Sequence, residues 1–221
     1  WMPDLLGADF TAAQAGWIFI YVSTIMTILR FYAGPIVHKF SPIGLLVVSA
    51  VIAIAGLLFL SKASAFMIIV AATIYALGKT FLWSTTLGLV SEQFPKGGAL
   101  TLNGVSAVGV LGMGLLGAPI MGGLQDKGIS ADLSKNHPEI YEQVAGEPKI
   151  VPMIGEVTSI DADRVNALSE EDQKIITSTK YPHKKSAFHQ VAALPIFMLL
   201  CYLIIFFYFK SLGGYRQQDL N

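Results

Sequence analysis

The chain has 221 residues, 53% hydrophobic and 14% charged, and its acids and bases cancel to a formal net charge of zero. Soluble domains carry about 25% charged residues, so this composition, with a mean hydropathy of +0.59, excludes an ordinary soluble domain; the neutral balance leaves no electrostatic footprint for a nucleic-acid partner. The single cysteine, Cys201, excludes a disulfide framework within the chain and a cysteine-based metal site.

Taken in chain order, the elements are set by charge-free runs. Trp1 stands where an initiator Met and a basic stretch would open a signal peptide, so none is expected and a fragment of a longer protein is. Phe10 to Leu29 carries no charge, and Thr11 with Gln14 has capping-box spacing, which predicts a helix over 12–37. Phe40 to Ser61 is equally free of charge, and Pro42 suits the first turn of a helix over 42–61. Ala63 to Ser91 is interrupted only by Lys79 and predicts a third helix over 65–93. Pro95 and the Gly97–Gly98 pair break the chain before a fourth helix over 99–123. Ser186 to Phe209 holds only His189 and predicts a last helix over 187–209.

A bilayer core needs about 20 apolar residues per helix, and lipid does not tolerate unpaired strands. The expectation is an all-α, polytopic integral membrane protein with five transmembrane helices. Residues 1–124 would hold four of them, 125–186 a polar extracytoplasmic loop, and 187–221 the last helix and a cytoplasmic tail. In the loop, Ser169 with Asp172 would cap a short helix and Pro138 would start another. Its scattered apolar residues suggest a partly helical spacer with little core. Arg30 and Lys39, Lys96, and Lys210 with Arg216 fall on one side, which the positive-inside tendency makes cytoplasmic. Asp4, Asp9 and Lys62 fall on the other, with the long loop and its Lys184 and Lys185. The expected location is the plasma (inner) membrane.

Gly78-Lys79-Thr80 looks like the end of a phosphate-binding loop. The earlier glycine is missing, with Thr73 in its place, and no strand precedes the motif. Gly112, Gly114 and Gly117 mimic a dinucleotide fingerprint inside an apolar run, again without a strand. No catalytic set converges in the sequence, so no enzyme is expected. His137, His183 and His189 lack ligand spacing, so no metal site is assigned. Lys79 instead stands roughly 20 Å from either end of its helix at 1.5 Å per residue, too deep to snorkel out. An exposed charge there costs about 3 kcal/mol or more. Tyr75 and Trp83 lie four residues either side on its face, and Thr86 follows, forming a polar-aromatic stripe. The stripe would line a solute cavity, or Lys79 would form a structural ion pair with the missing half of the protein, or it would be a tolerated neutral or backbone-bonded lysine.

Gly114, Ala118 and Gly122 recur every four residues, a spacing that lets helices approach closely in lipid. Pro119 can bend that helix. The stretch is either a plain packing seam or a gating surface. Leucine at Ala118 is expected to disturb packing or gating more than leucine at Ala53.

These residues also carry a resemblance. "GLLGAPIMGG", Gly114 to Gly123, resembles the G-x-x-x-G-P-x-x-G-G motif of the major facilitator superfamily, with Ala118 replacing one glycine. "GPIVHKFSPIGLL", from Gly34, resembles its G-x-x-x-D-R-x-G-R loop: Gly34 and Lys39 fit, His38 stands in the acidic position, and Ser41 and Pro42 replace the last two residues. "SEQFPKGGALTLNG", Ser91 to Gly104, is similar to the connection before the eleventh helix, and "RFYAGPIVHKFSP" to sugar and nucleoside symporter branches. The superfamily has two related halves, so the resemblance allows helices two to six or eight to twelve. The degraded loop motif and the short tail after the last helix favour eight to twelve, and hence a missing N-terminal portion of six or seven helices of the same transporter.

It also implies a secondary transporter working by alternating access on a small polar solute: sugar-like, nucleoside or organic anion. Lys79, Trp83, Tyr75 and Thr86 would bind the solute. Gly34, Lys39, Gly114, Ala118, Pro119, Gly122 and Gly123 would serve packing and gating. No cofactor is implied beyond a coupling proton or sodium ion. The alternative is a non-transporting membrane sensor or scaffold whose outer loop binds a partner.

Overall fold

The computed structural model describes residues 11–64 and 66–218, apart from the side chains of Ala12, Ala15, His38, Lys184 and Lys185. Asp4 and Asp9, and the side chains of His38, Lys184 and Lys185, therefore lie outside the described part.

Local sequence explains most of the helix ends. Helix α1, Ala12–Phe31, opens on the expected capping box: the Thr11 N–H donates to Gln14 Oε1 at 2.9 Å, and the Gln14 N–H to Thr11 Oγ1 at 3.4 Å. The helix expected over 12–37 ends instead at Tyr32, and α2, Ala33–Phe40, follows. Pro35 has no N–H to offer the carbonyl one turn back, which accounts for the break. Helix α3, Pro42–Lys62, has its proline in the first turn, and the Gly44 N–H donates to Ser41 Oγ at 3.2 Å. Ser41 has a φ of 61°, unusual for a residue with a side chain, and turns the chain between α2 and α3.

Helix α4, Phe66–Gln93, stops where Pro95 begins a short 3₁₀ turn, Pro95–Gly97. Helix α5, Gly98–Gly112, passes through a π-turn, Met113–Gly117, into α6, Ala118–Asn136. The π-turn ends two residues before Pro119, and the Ala118 N–H bonds back to the Met113 carbonyl. The widened turn accommodates the missing N–H and bulk of the proline ring. Among the described residues, four helical runs are long and apolar enough to cross a membrane: Pro42–Lys62, Phe66–Gln93, Pro95–Asn136 and Glu170–Ser211. The first expected span contributes only the shorter apolar helix Gly16–Phe31.

The chain divides into two compact units: Trp1–Gly109 with Val191–Asn221, and Val110–Gln190. In the first, α3 and α4 are joined by a connection of three residues and pack side by side. Leu46, Ala50, Ala53, Leu57 and Leu60 recur every three or four residues along α3, and all are buried. Two glycines bring the backbones together. A Cβ on Gly56 would lie 2.5 Å from the Tyr75 Cα, and one on Gly78 would overlap the Ala53 backbone nitrogen. Helix α1 packs on α4, and α10, Ala193–Ser211, packs on α3. Helices α5 and α10 bury none of their own residues; Leu100, Val108, Phe197 and Ile204 are more than two-thirds exposed. Apolar surface on this scale is what a lipid or protein partner covers.

The second unit departs from the expected loop. After α6 come α7, Pro138–Val144, the antiparallel hairpin β1, Ala145–Val151, and β2, Gly155–Ile160, then α8, Ala162–Asn166, and α9, Glu170–Val191. The starts at Pro138 and Ser169 are as expected: Ser169 Oγ donates to the Asp172 carboxylate at 2.7 Å and accepts the Asp172 N–H at 3.2 Å. The segment does have a core: Ile129, Leu133, Val144 and Ile176 are buried together, with Ile140, Tyr141, Ile160, Val165 and Leu168 packed on them. The fold is thus mostly helical with one β-hairpin, not all-helical, and neither α6 nor α9 breaks at the expected loop boundaries. All four core residues lie within that polar segment, spread over α6, α7 and α9, so no single run of it shows the core before the helices meet.

Candidate functional site

Lys79 sits midway along α4 and is exposed, with Nζ 5.9 Å from the centre of the Tyr75 ring. That distance is within reach of a cation–π contact. Lys79 forms no ion pair among the described residues. The expected ion-pair partner belongs to the missing half, which lies outside this chain. The Tyr75 backbone lies against Gly56, so the tyrosine is held by the α3–α4 contact. Trp83 is 46% exposed, and the edge of its ring lies against Gly109 of α5, where a Cβ would come within 2.5 Å. Thr86 donates to the Leu82 carbonyl at 2.7 Å, and its oxygen is 3.3 Å from the Tyr202 hydroxyl of α10. The structure thus joins Tyr75 with Lys79, while Trp83 and Thr86 reach α5 and α10.

A cavity of about 920 Å³ opens near the C-terminal end of α4. Thr86, Gln93, Lys96, Tyr202 and Tyr208 supply its polar lining; Phe94 and Phe209 are among its apolar walls. The C-terminal tail is tied beside it. The Tyr215 hydroxyl donates to the Glu92 carboxylate, the Gln93 side chain donates to the Arg216 carbonyl at 2.8 Å, and the Gln218 N–H to the Glu92 carbonyl at 3.0 Å. Burial, reinforced by the Glu92 carboxylate, pushes the Tyr215 phenol up to about 12. Neither Tyr202 nor the tail tie was foreseen, because residues more than 100 positions apart in sequence leave no local signal.

The expected gating residues are mostly open. Gly34 lies on α2 and Lys39 is exposed near its end; a Cβ on Gly34 would meet nothing within 4 Å. Gly114 and Ala118 are exposed, Pro119 and Gly122 half-buried, and a Cβ on Gly114 or Gly122 would also meet nothing. Gly123 alone of this set is tightly covered, by Val151 and Ile154 of the hairpin. Within this chain Ala53 is the more tightly packed of the two alanines: it is 2% exposed and backs onto Gly78. The Ser49, Ala53, Gly56 spacing was a signal of the same kind, hidden in a run with no motif.

In the second unit, Asp132 lies in the polar continuation of α6, beyond its apolar stretch. Its carboxylate is 2.9 Å from His183 Nε2 of α9. That bond, with a second from Asn136, holds the Asp132 carboxyl below the ordinary range. Among the described residues no three His, Cys, Asp or Glu side chains converge.

Comparison with protein-family models, with curated proteins and with solved structures finds no match to this chain.

Proposed function

We propose that the chain is the C-terminal half of a secondary transporter of the major facilitator type, its apolar helices corresponding to helices eight to twelve. The observation that carries the reading is Lys79: an exposed cation at the middle of a 28-residue apolar helix, with the Tyr75 ring beside it and no ion pair among the described residues. A charge at that depth is costly in lipid, so it belongs against a wet cavity or a solute. The open faces of α5 and α10 provide surface for a second bundle, and alternating access would rock the two bundles about a midplane site. Lys79 would orient an anionic or hydroxyl-rich solute, with Tyr75 and Trp83 flanking it and Thr86 toward the cytoplasmic end. A proton or sodium gradient would supply the energy. In this reading the C-terminus is cytoplasmic and the unit Val110–Gln190 carries the extracytoplasmic part.

The test is solute uptake into proteoliposomes by the full-length transporter, with and without Lys79→Ala. Uptake should be abolished while yield and monodispersity are retained. Undiminished uptake by Lys79→Ala would remove the lysine from the mechanism.

The separate core of the second unit favours one other reading, a scaffold that binds a partner there. Absence of flux for sugars, nucleosides and organic anions, with a folded protein, would favour it.

A further inference from the structure

The hairpin exposes two large apolar side chains at its tip: Ile150 is 88% and Met153 87% exposed. Its position along α6 is fixed at three levels, all within the unit Val110–Gln190. At the base, Val144 shares the core with Leu133. Midway, the Ser130 hydroxyl donates to the Thr158 carbonyl. Near the tip, Val151 and Ile154 close on Gly123, where a Cβ would lie 2.9 and 3.2 Å from them. From base to tip the hairpin therefore runs back along α6 toward its apolar stretch, over roughly 15 Å at 1.5 Å per residue. Gly123 lies at the end of that stretch, since no charge occurs from Val110 to Gln125 and Asp126 and Lys127 follow.

We propose that the hairpin tip, Ile150 and Met153, is a membrane-interface anchor that dips into lipid beside the end of the α6 span. The occupant is lipid because the tip is level with the point where the same helix passes from apolar to charged residues. Glu156 sets the depth: it is the cross-strand partner of Ile150, it is exposed, and its carboxylate has to stay in water. Insertion is therefore shallow, at the boundary of headgroups and acyl chains, as for other interfacial apolar side chains. Lys127, exposed one turn past Gly123, lies where anionic headgroups attract it. The proposal rests on the membrane-spanning reading of α6.

The experiment uses the full-length protein in phosphatidylethanolamine–phosphatidylglycerol vesicles, with Cys201→Ser as background. A nitroxide is attached in turn at Met153→Cys, Ile150→Cys, Glu139→Cys and Ile204→Cys, and collisions with oxygen and with a nickel chelate are compared. The oxygen-to-nickel ratio at both tip positions should be severalfold above that at Glu139. A tip ratio equal to that at Glu139, with Ile204 still in lipid, would overturn the anchor and leave the spanning reading intact. Tip labels reached by neither reagent would mean a protein cover, and overturn it too. A watery Ile204 would overturn the spanning reading and the anchor together.

Discussion

On α3 and α4, Ser49, Ala53, Gly56 and Gly78 let two backbones meet; on the run through Gly114, Ala118 and Gly122, the same kind of spacing meets almost nothing among the described residues. The contrast separates two properties that small residues are often taken to carry together. Spacing shows where a backbone is able to approach. It does not say what approaches, and in lipid no hydrophobic drive closes the face by default. Helix α6 shows the change within one element. Gly122 is open, whereas one residue on Gly123 is covered by the hairpin, and Gly128 by the His183 ring.

The comparison breaks most sharply at Gly78. Its Cβ would run into backbone rather than a movable side chain. Gly78→Val should therefore destabilise the protein by about 3 kcal/mol, as severe overpacking does, measured as unfolding in detergent micelles. Stability close to wild type would show that the α3–α4 contact is looser than described.

Gly128→Val should cost less, about 1 kcal/mol, because the group it displaces is the His183 ring and the loss is essentially one hydrogen bond to Asp132. Hydrogen exchange in α9 is the direct readout. Equal protection in the variant would remove that bond from the stability of the unit.

The same bond predicts an acid response. The Asp132 carboxyl is held low by its bonds to His183 and Asn136. A depressed folded value means that its contribution is present above the ordinary aspartate value of about 3.9 and lost as pH falls through the lower, folded one. Amide protection around Leu133 and Ile176 should decline on acidification through that window. Asp132→Asn should flatten this part of the decline; an unchanged profile would assign it to other carboxylates.

The smallest folding effect is expected on the open seam. Ala118→Leu should change stability by no more than about 0.5 kcal/mol, the usual range for an exposed site; under the transport proposal, it should also reduce solute uptake by the full-length protein. A loss of stability comparable to that of Gly78→Val would show that the seam is already packed.

Much of the architecture was legible because it is local. The Thr11–Gln14 box, the Pro42 start, the break before Pro95 and the Ser169–Asp172 cap each depend on residues within one turn of one another. Charge-free runs of 20 or more residues likewise announce long apolar helices. The Tyr75–Lys79 pairing was legible for the same reason, since four residues make one helical turn. Tyr202 beside Thr86 and Tyr215 on Glu92 were not, because no periodicity links them. The hairpin was missed because its strands are short and it packs on α6 from Gly123 onward, a stretch that reads largely as polar loop.

The sequence by itself therefore determined most of the apolar helices, several of their caps, and the mid-helix position of Lys79, all consequences of backbone geometry and side-chain polarity along one element. Only the tertiary structure decided which glycines are covered and that Ile129, Leu133, Val144 and Ile176 make one core. It also brought the hairpin tip level with the end of an apolar helix. Those features depend on which surfaces meet, and close packing is settled by shape between distant residues rather than by composition within a run.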